Sequence, residues 1–191
     1  MLDIMKLAVF LLVVSAVAAF GVGYVNSMTA PVIDKQALRM KTDSFKEVCP
    51  QGEEVKNETE RFLKKNANPL IKEVNVAYKG GVPVGVIYTI EPKGFGGPIS
   101  ILAGFDIGAR KVTAIKVLSQ TETPGLGAKA KDPSFQDRYK GKSAEADLEV
   151  SKTPPTKDTQ IQAITASTIT SKAVTNGVNA ARDHFAGNFV K

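Results

Sequence analysis

The chain has 191 residues, of which 43% are hydrophobic and 23% charged, with a formal net charge of +6. That length suits one domain plus an appendage. Its Lys and Arg are scattered without interleaved aromatics, which argues against a nucleic-acid surface, and a single cysteine, Cys49, with a single histidine, His184, excludes a zinc or iron–sulfur site built from this chain alone.

The first element is apolar. Leu7–Val25 carries no charge and approaches the ~20 residues a helix needs to cross a bilayer. It reads as a membrane anchor. A cleaved signal peptide is the rival, since Ala16-Val17-Ala18 resembles a cleavage site, but apolar sequence continues through Phe20, Val22 and Val25. Lys6 marks the short N-terminal tail as cytoplasmic, whereas Lys35, Arg39 and Lys41 argue the reverse. Large domains translocate with little regard to such charges, so the expected arrangement is N-terminus inside and domain outside.

Thr29-Ala30-Pro31 is expected to end the anchor helix. Lys35–Val48 then reads as a second helix, loosely periodic in Ala37, Met40, Phe45 and Val48 and stopped by Pro50-Gln51-Gly52. Glu53–Pro69 is polar and yields no assignment. Val74, Val76 and Tyr78 alternate with polar residues, which predicts a strand. Lys79-Gly80-Gly81 predicts a turn, and the β-branched run Val82–Ile90 a second strand. Gly94-Phe95-Gly96-Gly97-Pro98 is a glycine-rich turn that allows close backbone approach or a tight reversal. Ile99–Ile107 and Lys111–Ser119 predict a further strand pair, Pro133–Tyr139 a short helix and Asp147–Ser151 an edge strand. The last helix carries Ile169, Ala173, Val174, Gly177, Val178, Ala181 and Phe185 on one stripe, which predicts a core-facing side. The small residues Ala173, Gly177 and Ala181 let it sit close against a sheet. His184 lies near the end of that helix, where partial positive charge is favourable. The fold class that follows is α+β, an antiparallel sheet with packed helices on one side.

Two segments carry chemistry. Thr165, Ser167, Thr168, Thr170 and Ser171 crowd the start of the last helix. A helix start presents unpaired N–H groups and the positive end of a dipole, which suits a phosphate; an over-supplied N-cap explains the same residues. The other segment, Glu122-Thr123-Pro124-Gly125-Leu126-Gly127, follows a predicted strand directly. Pro124 fixes one φ angle, and Gly125 and Gly127 allow positive φ and a backbone close to a ligand, although a plain Pro-Gly turn reads the same way.

Together the two segments, the anchor and the Phe135/Tyr139-Lys140-Gly141 stretch resemble the G subunit of the Rnf complex, a membrane ferredoxin:NAD oxidoreductase coupled to ion transport. The C subunit of the sodium-pumping NADH:quinone oxidoreductase is related. The resemblance implies residues 1–28 as tail and transmembrane helix, 29–70 as a helical linker region and 71–191 as an FMN-binding domain. It implies covalent FMN, joined by a phosphoester to a threonine in a D-x-x-[ST]-G-A-T pattern and installed by a flavin transferase. That pattern falls on Gln162–Thr168. Gln162 stands for Asp, Ala166 for Gly and Ser167 for Ala, while the acceptor Thr168 is retained. Ala166 costs backbone freedom wherever that position needs positive φ.

The implied cofactor site comprises Thr168 as the phosphoryl threonine, with Thr165, Ser167, Ile169 and Thr170 beside it. Leu126 and Pro124 would bed the flavin ring, Glu122, Thr123 and backbone N–H groups would meet its polar edge, and Gly125 and Gly127 would let the backbone come close, the loop lying apart from the ester. The implied partners are the other membrane subunits, the transferase and the lipid bilayer. No general acid, base or nucleophile is asked of the chain itself, so no independent catalysis is expected. The alternatives are the C subunit of a sodium-pumping NADH:quinone oxidoreductase and a flavin-free, membrane-tethered binding or scaffold domain.

Overall fold

The computed structural model describes residues 2–63 and 68–190. Part of the unassigned stretch Glu53–Pro69, residues 64–67, lies outside the described residues. The chain divides into two compact units, Met1–Lys41 and Thr42–Lys191.

Helix α1 spans Leu2–Val48 and runs through Pro31. The break expected at Thr29-Ala30-Pro31 is therefore corrected: the two predicted helices are one. An interior proline removes one rung of the ladder at ~3 kcal/mol. A helix already propagating on both sides of it absorbs that loss. Among the described residues, α1 is the one helix long and apolar enough, by length and composition, to cross a membrane. The side chains of Leu7–Val25 are exposed throughout.

The second unit is built on a five-stranded antiparallel sheet with β1 (Glu54–Asn57), β2 (Ile71–Lys79), β3 (Val82–Ile90), β4 (Ser100–Asp106) and β5 (Lys111–Ser119) in sequence order. The register pairs Val76 with Val86 and Ile87 with Gly104. A short helix, α2 (Thr59–Phe62), links β1 to β2. After β5 come a 3-10 turn at Gly127–Lys131, helix α3 (Pro133–Gln136) and another 3-10 turn at Asp137–Tyr139. Strands β6 (Glu149–Ser151) and β7 (Gln160–Gln162) form a separate parallel pair. The expectation that Asp147–Ser151 lies at the edge of the main sheet is corrected by that pairing. Its partner is the three-residue β7, which has too few apolar residues to show in the sequence.

Helix α4 (Thr168–Phe189) covers one sheet face. Ala173, Val174, Val178, Ala181 and Phe185 are buried against Val86, Tyr88, Ile101 and Phe105. Phe185 stacks on Phe105 at 5.1 Å between ring centroids. A Cβ on Gly177 would lie 3.0 Å from Pro92 and 3.1 Å from Ile90, so the small stripe does seat the helix close to the sheet. Ile169, expected on that stripe, is 57% exposed. It belongs to the first turn of α4, which lines a cleft rather than the sheet.

The opposite face is also covered. Val48 and Cys49 are buried with Ala77, Ile87 and Leu102, and Phe45 packs against them. Helical segments thus lie on both faces, not one. His184 is built into the packing too: its Nε2 lies 3.3 Å from the Phe62 carbonyl and its Nδ1 3.0 Å from the Tyr88 hydroxyl, each within hydrogen-bond distance.

Candidate functional site

Strand β7 ends at Gln162, three residues before the hydroxyl-rich segment begins at Thr165, and the chain then turns into α4. The Arg138 guanidinium pins the start of the turn, donating to the carbonyls of Gln162 at 2.6 Å and Ala163 at 3.3 Å. The Ser171 hydroxyl pins its end. It accepts from the Ile164 N–H at 2.9 Å and donates to the Ser167 carbonyl at 2.9 Å. Between these pins Ala166 adopts φ +61, and the only other non-glycine with positive φ among the described residues is Arg110. Backbone strain of this kind persists only where the surroundings over-determine it.

The first intrahelical bond of α4 runs from the Ser171 N–H to the Ser167 carbonyl. The N–H groups of Thr168, Ile169 and Thr170 therefore precede the ladder and face its N-terminal end. Ser167 occupies the cap position without making a side-chain capping bond. Its hydroxyl is buried with no hydrogen-bond partner among the described residues. Thr168, the first helical residue, is half-buried.

The Glu122–Gly127 loop meets this helix start directly. Glu122 is 6% exposed. One carboxylate oxygen accepts the Gly96 N–H at 2.7 Å, and the other accepts the Thr170 hydroxyl. The expected separation of the loop from the helix start is corrected by that bond: a single buried carboxylate ties together the loop, the Gly94–Pro98 turn and the first turn of α4. The loop closes on itself through the N–H groups of Leu126 and Ala128, each 3.2 Å from the Thr123 carbonyl. Gly125 has φ +76, whereas Gly127 is required for space. A Cβ on Gly127 would lie 2.5 Å from Glu122 Oε2 and 2.6 Å from Thr170 Oγ1.

These elements enclose a cleft of 340 Å³ lined by Phe95, Glu122, Thr123, Leu126, Gly127, Ala166, Ser167, Thr168, Ile169 and Thr170. Three candidate residues stand outside it. Pro124 and Gly125 are exposed at the loop's bend. Thr165 lines a neighbouring 300 Å³ cavity with Lys129, Arg138 and Gln162. A larger cavity of 540 Å³ runs along β5 from Glu47 to Lys140 and holds none of the candidates. The titrating groups with shifted pKa also lie elsewhere. Burial pushes the Cys49 thiol up to about 11 and raises Tyr88 and Tyr139 above the usual phenol range.

Two contributors went unread in the sequence. Phe95, 70% exposed, lines the cleft mouth with Leu126 and Ile169. Its signal was a large apolar side chain among turn glycines. Arg138 carried no signal, because its partners are carbonyls fixed only by the fold. The residues present fit a phosphomonoester joined to a flat ring. The orphaned Ser167 hydroxyl and the free N–H groups suit the phosphate, and the exposed apolar rim of Phe95, Leu126 and Ile169 suits the ring.

A family model described as the FMN-binding domain matches residues 94–183, which takes in both cleft segments. The chain is 36% identical over 185 residues to the G subunit of the Na(+)-translocating ferredoxin:NAD(+) oxidoreductase complex of Acetobacterium woodii, covering 92% of this chain and 88% of that protein. It is 35% identical over 154 residues to the G subunit of the proton-translocating ferredoxin:NAD(+) oxidoreductase complex of Clostridium ljungdahlii, covering 81% of this chain and 76% of the relative. In fold it is similar to the C subunit of the Na(+)-translocating NADH-quinone reductase from Parabacteroides distasonis, with a TM-score of 0.57 and 22% identity over 73% of this chain and 78% of that one. That last likeness is one of fold alone. The identity and coverage shared with the two G subunits establish that the chain belongs to the family of G subunits of ion-translocating ferredoxin:NAD(+) oxidoreductase complexes.

Proposed function

We propose that this chain is the FMN-carrying electron-transfer subunit of an Rnf complex, with the FMN phosphate esterified to Thr168. The observation that carries the reading is that the hydroxyl-rich helix start and the Glu122–Gly127 loop, well separated in sequence, line one cleft with the half-buried Thr168 in its wall. Bound FMN supplies the electron chemistry. The chain's own part is to hold and shield it.

The N–H groups and dipole of α4 stabilise the phosphodiester charge by about 0.3–1 kcal/mol where exposed and by more where partly buried. Phe95, Leu126 and Ile169 give the ring an apolar rim. Glu122 has both oxygens engaged, so it braces the cleft walls, and Thr123 is left to meet the ring's polar edge. A covalent bond keeps the cofactor from diffusing away on the extracytoplasmic side, where the domain is expected once α1 crosses the bilayer. The remaining partners on this reading are the other members of the complex and the flavin transferase that forms the ester.

The test is a denaturing gel of the protein made in its native host or with a co-expressed flavin transferase. The wild-type band is expected to fluoresce and Thr168→Val to be dark. Fluorescence surviving in Thr168→Val would move the attachment to Thr165, Ser167 or Thr170. A dark wild-type band would favour a flavin-free binding or scaffold domain.

A further inference from the structure

We propose that the Ser167 hydroxyl is a phosphate ligand: it donates a hydrogen bond to a non-bridging oxygen of the flavin phosphate carried next to it. This rests on the FMN reading above and assigns one residue's work within it.

A serine at a helix N-cap ordinarily spends its oxygen on the N–H of the second or third helical residue. Ser167 does not, since no side-chain capping bond forms. Its main chain is fully used, with the N–H donating to the Ile164 carbonyl at 3.0 Å and the carbonyl accepting from the Ser171 N–H and hydroxyl. Only the hydroxyl is left over, and the residue is 6% exposed. A buried hydroxyl without a partner lowers stability, so it signals a partner outside the chain.

The place of that partner follows from the neighbours. Ser167 and Thr168 line the same cleft at the start of the 22-residue helix α4. The unpaired N–H groups of that first turn are all donors, so a hydroxyl left free among them faces an acceptor rather than a donor. A phosphodiester on the adjacent threonine presents two non-bridging oxygens that share one negative charge. Glu122 is the carboxylate in the cleft wall, and its oxygens are already held by the Gly96 N–H and the Thr170 hydroxyl. It therefore does not compete for the Ser167 proton.

The test uses the full chain in detergent micelles, produced without a flavin transferase so that Thr168 is free. FMN and riboflavin are titrated separately and followed by flavin fluorescence. Ser167→Ala is expected to bind FMN about tenfold more weakly than wild type, as for loss of a hydrogen bond to a charged group. Riboflavin, which lacks the phosphate, should bind both proteins alike. Ser167→Thr, which keeps the hydroxyl, should bind FMN about as wild type does. The unliganded Ser167→Ala protein should melt no lower than wild type. Equal FMN affinity in Ser167→Ala and wild type would overturn the inference, as would an equal loss for both flavins or no FMN binding by wild type. A fluorescent wild-type band on the denaturing gel, alongside any of these results, would leave the FMN reading standing without it.

Discussion

Ala166 is at odds with its own backbone. Its φ of +61 places an L side chain in the left-handed region, at a cost of roughly 1–2 kcal/mol relative to ordinary conformations. The turn tolerates this because Arg138 and Ser171 hold its two ends. Ala166→Gly should therefore raise stability by ~0.5–1 kcal/mol, the relief of strain outweighing the extra freedom glycine brings to the unfolded chain. Denaturant unfolding measures it, and a lower midpoint at unchanged slope would show that the turn is not strained. This position was legible through the resemblance, whose pattern has glycine there. How the turn is pinned was not, because the Arg138 contacts join residues 24 and 25 positions apart through backbone carbonyls.

The Glu122–Gly127 loop separates two uses of glycine that look identical in a sequence. Gly125 has positive φ and open space around its absent Cβ. Gly127 has no such dihedral, but a Cβ there would press on Glu122 and Thr170. Gly127→Ala should destabilise by ~1–3 kcal/mol through overpacking and loosen FMN in the cleft, since it forces apart the carboxylate–hydroxyl bond that closes the wall. Gly125→Ala should cost about 1 kcal/mol and leave FMN binding close to wild type. Thermal unfolding and flavin titration of the two variants check this pair; equal losses of binding would mean that the loop acts as one rigid turn. Strands β2 to β5 were legible because β-branched alternation and glycine turns agree over nine- and seven-residue runs. Strands β1 and β7 were not, being Glu-Val-Lys-Asn and Gln-Ile-Gln segments whose strand character comes from their pairing partners. The break expected at Pro31 fails for a different reason: a local penalty of one bond does not outweigh a 47-residue helix.

In the molecule as a whole, the function proposed above gives the first unit the work of anchoring and the second that of holding the cofactor. Neither buried cluster of the second unit uses a residue before Phe45. A chain beginning at Met28 should therefore be soluble and keep the thermal midpoint of the full-length domain, because the described side chains it loses are exposed. A chain beginning at Gln51 should aggregate or melt far lower, because it also strips Val48 and Cys49 from Ala77, Ile87 and Leu102. If the Met28 chain behaves like the Gln51 chain, the first unit contributes to the fold. On the function proposed above, electron transfer by the second unit depends on FMN joined to Thr168. Mass spectrometry of the peptide containing Thr168, from protein purified out of its native host, should show the mass of FMN less one water added at that residue. The same peptide recovered wholly at its unmodified mass would contradict the assignment.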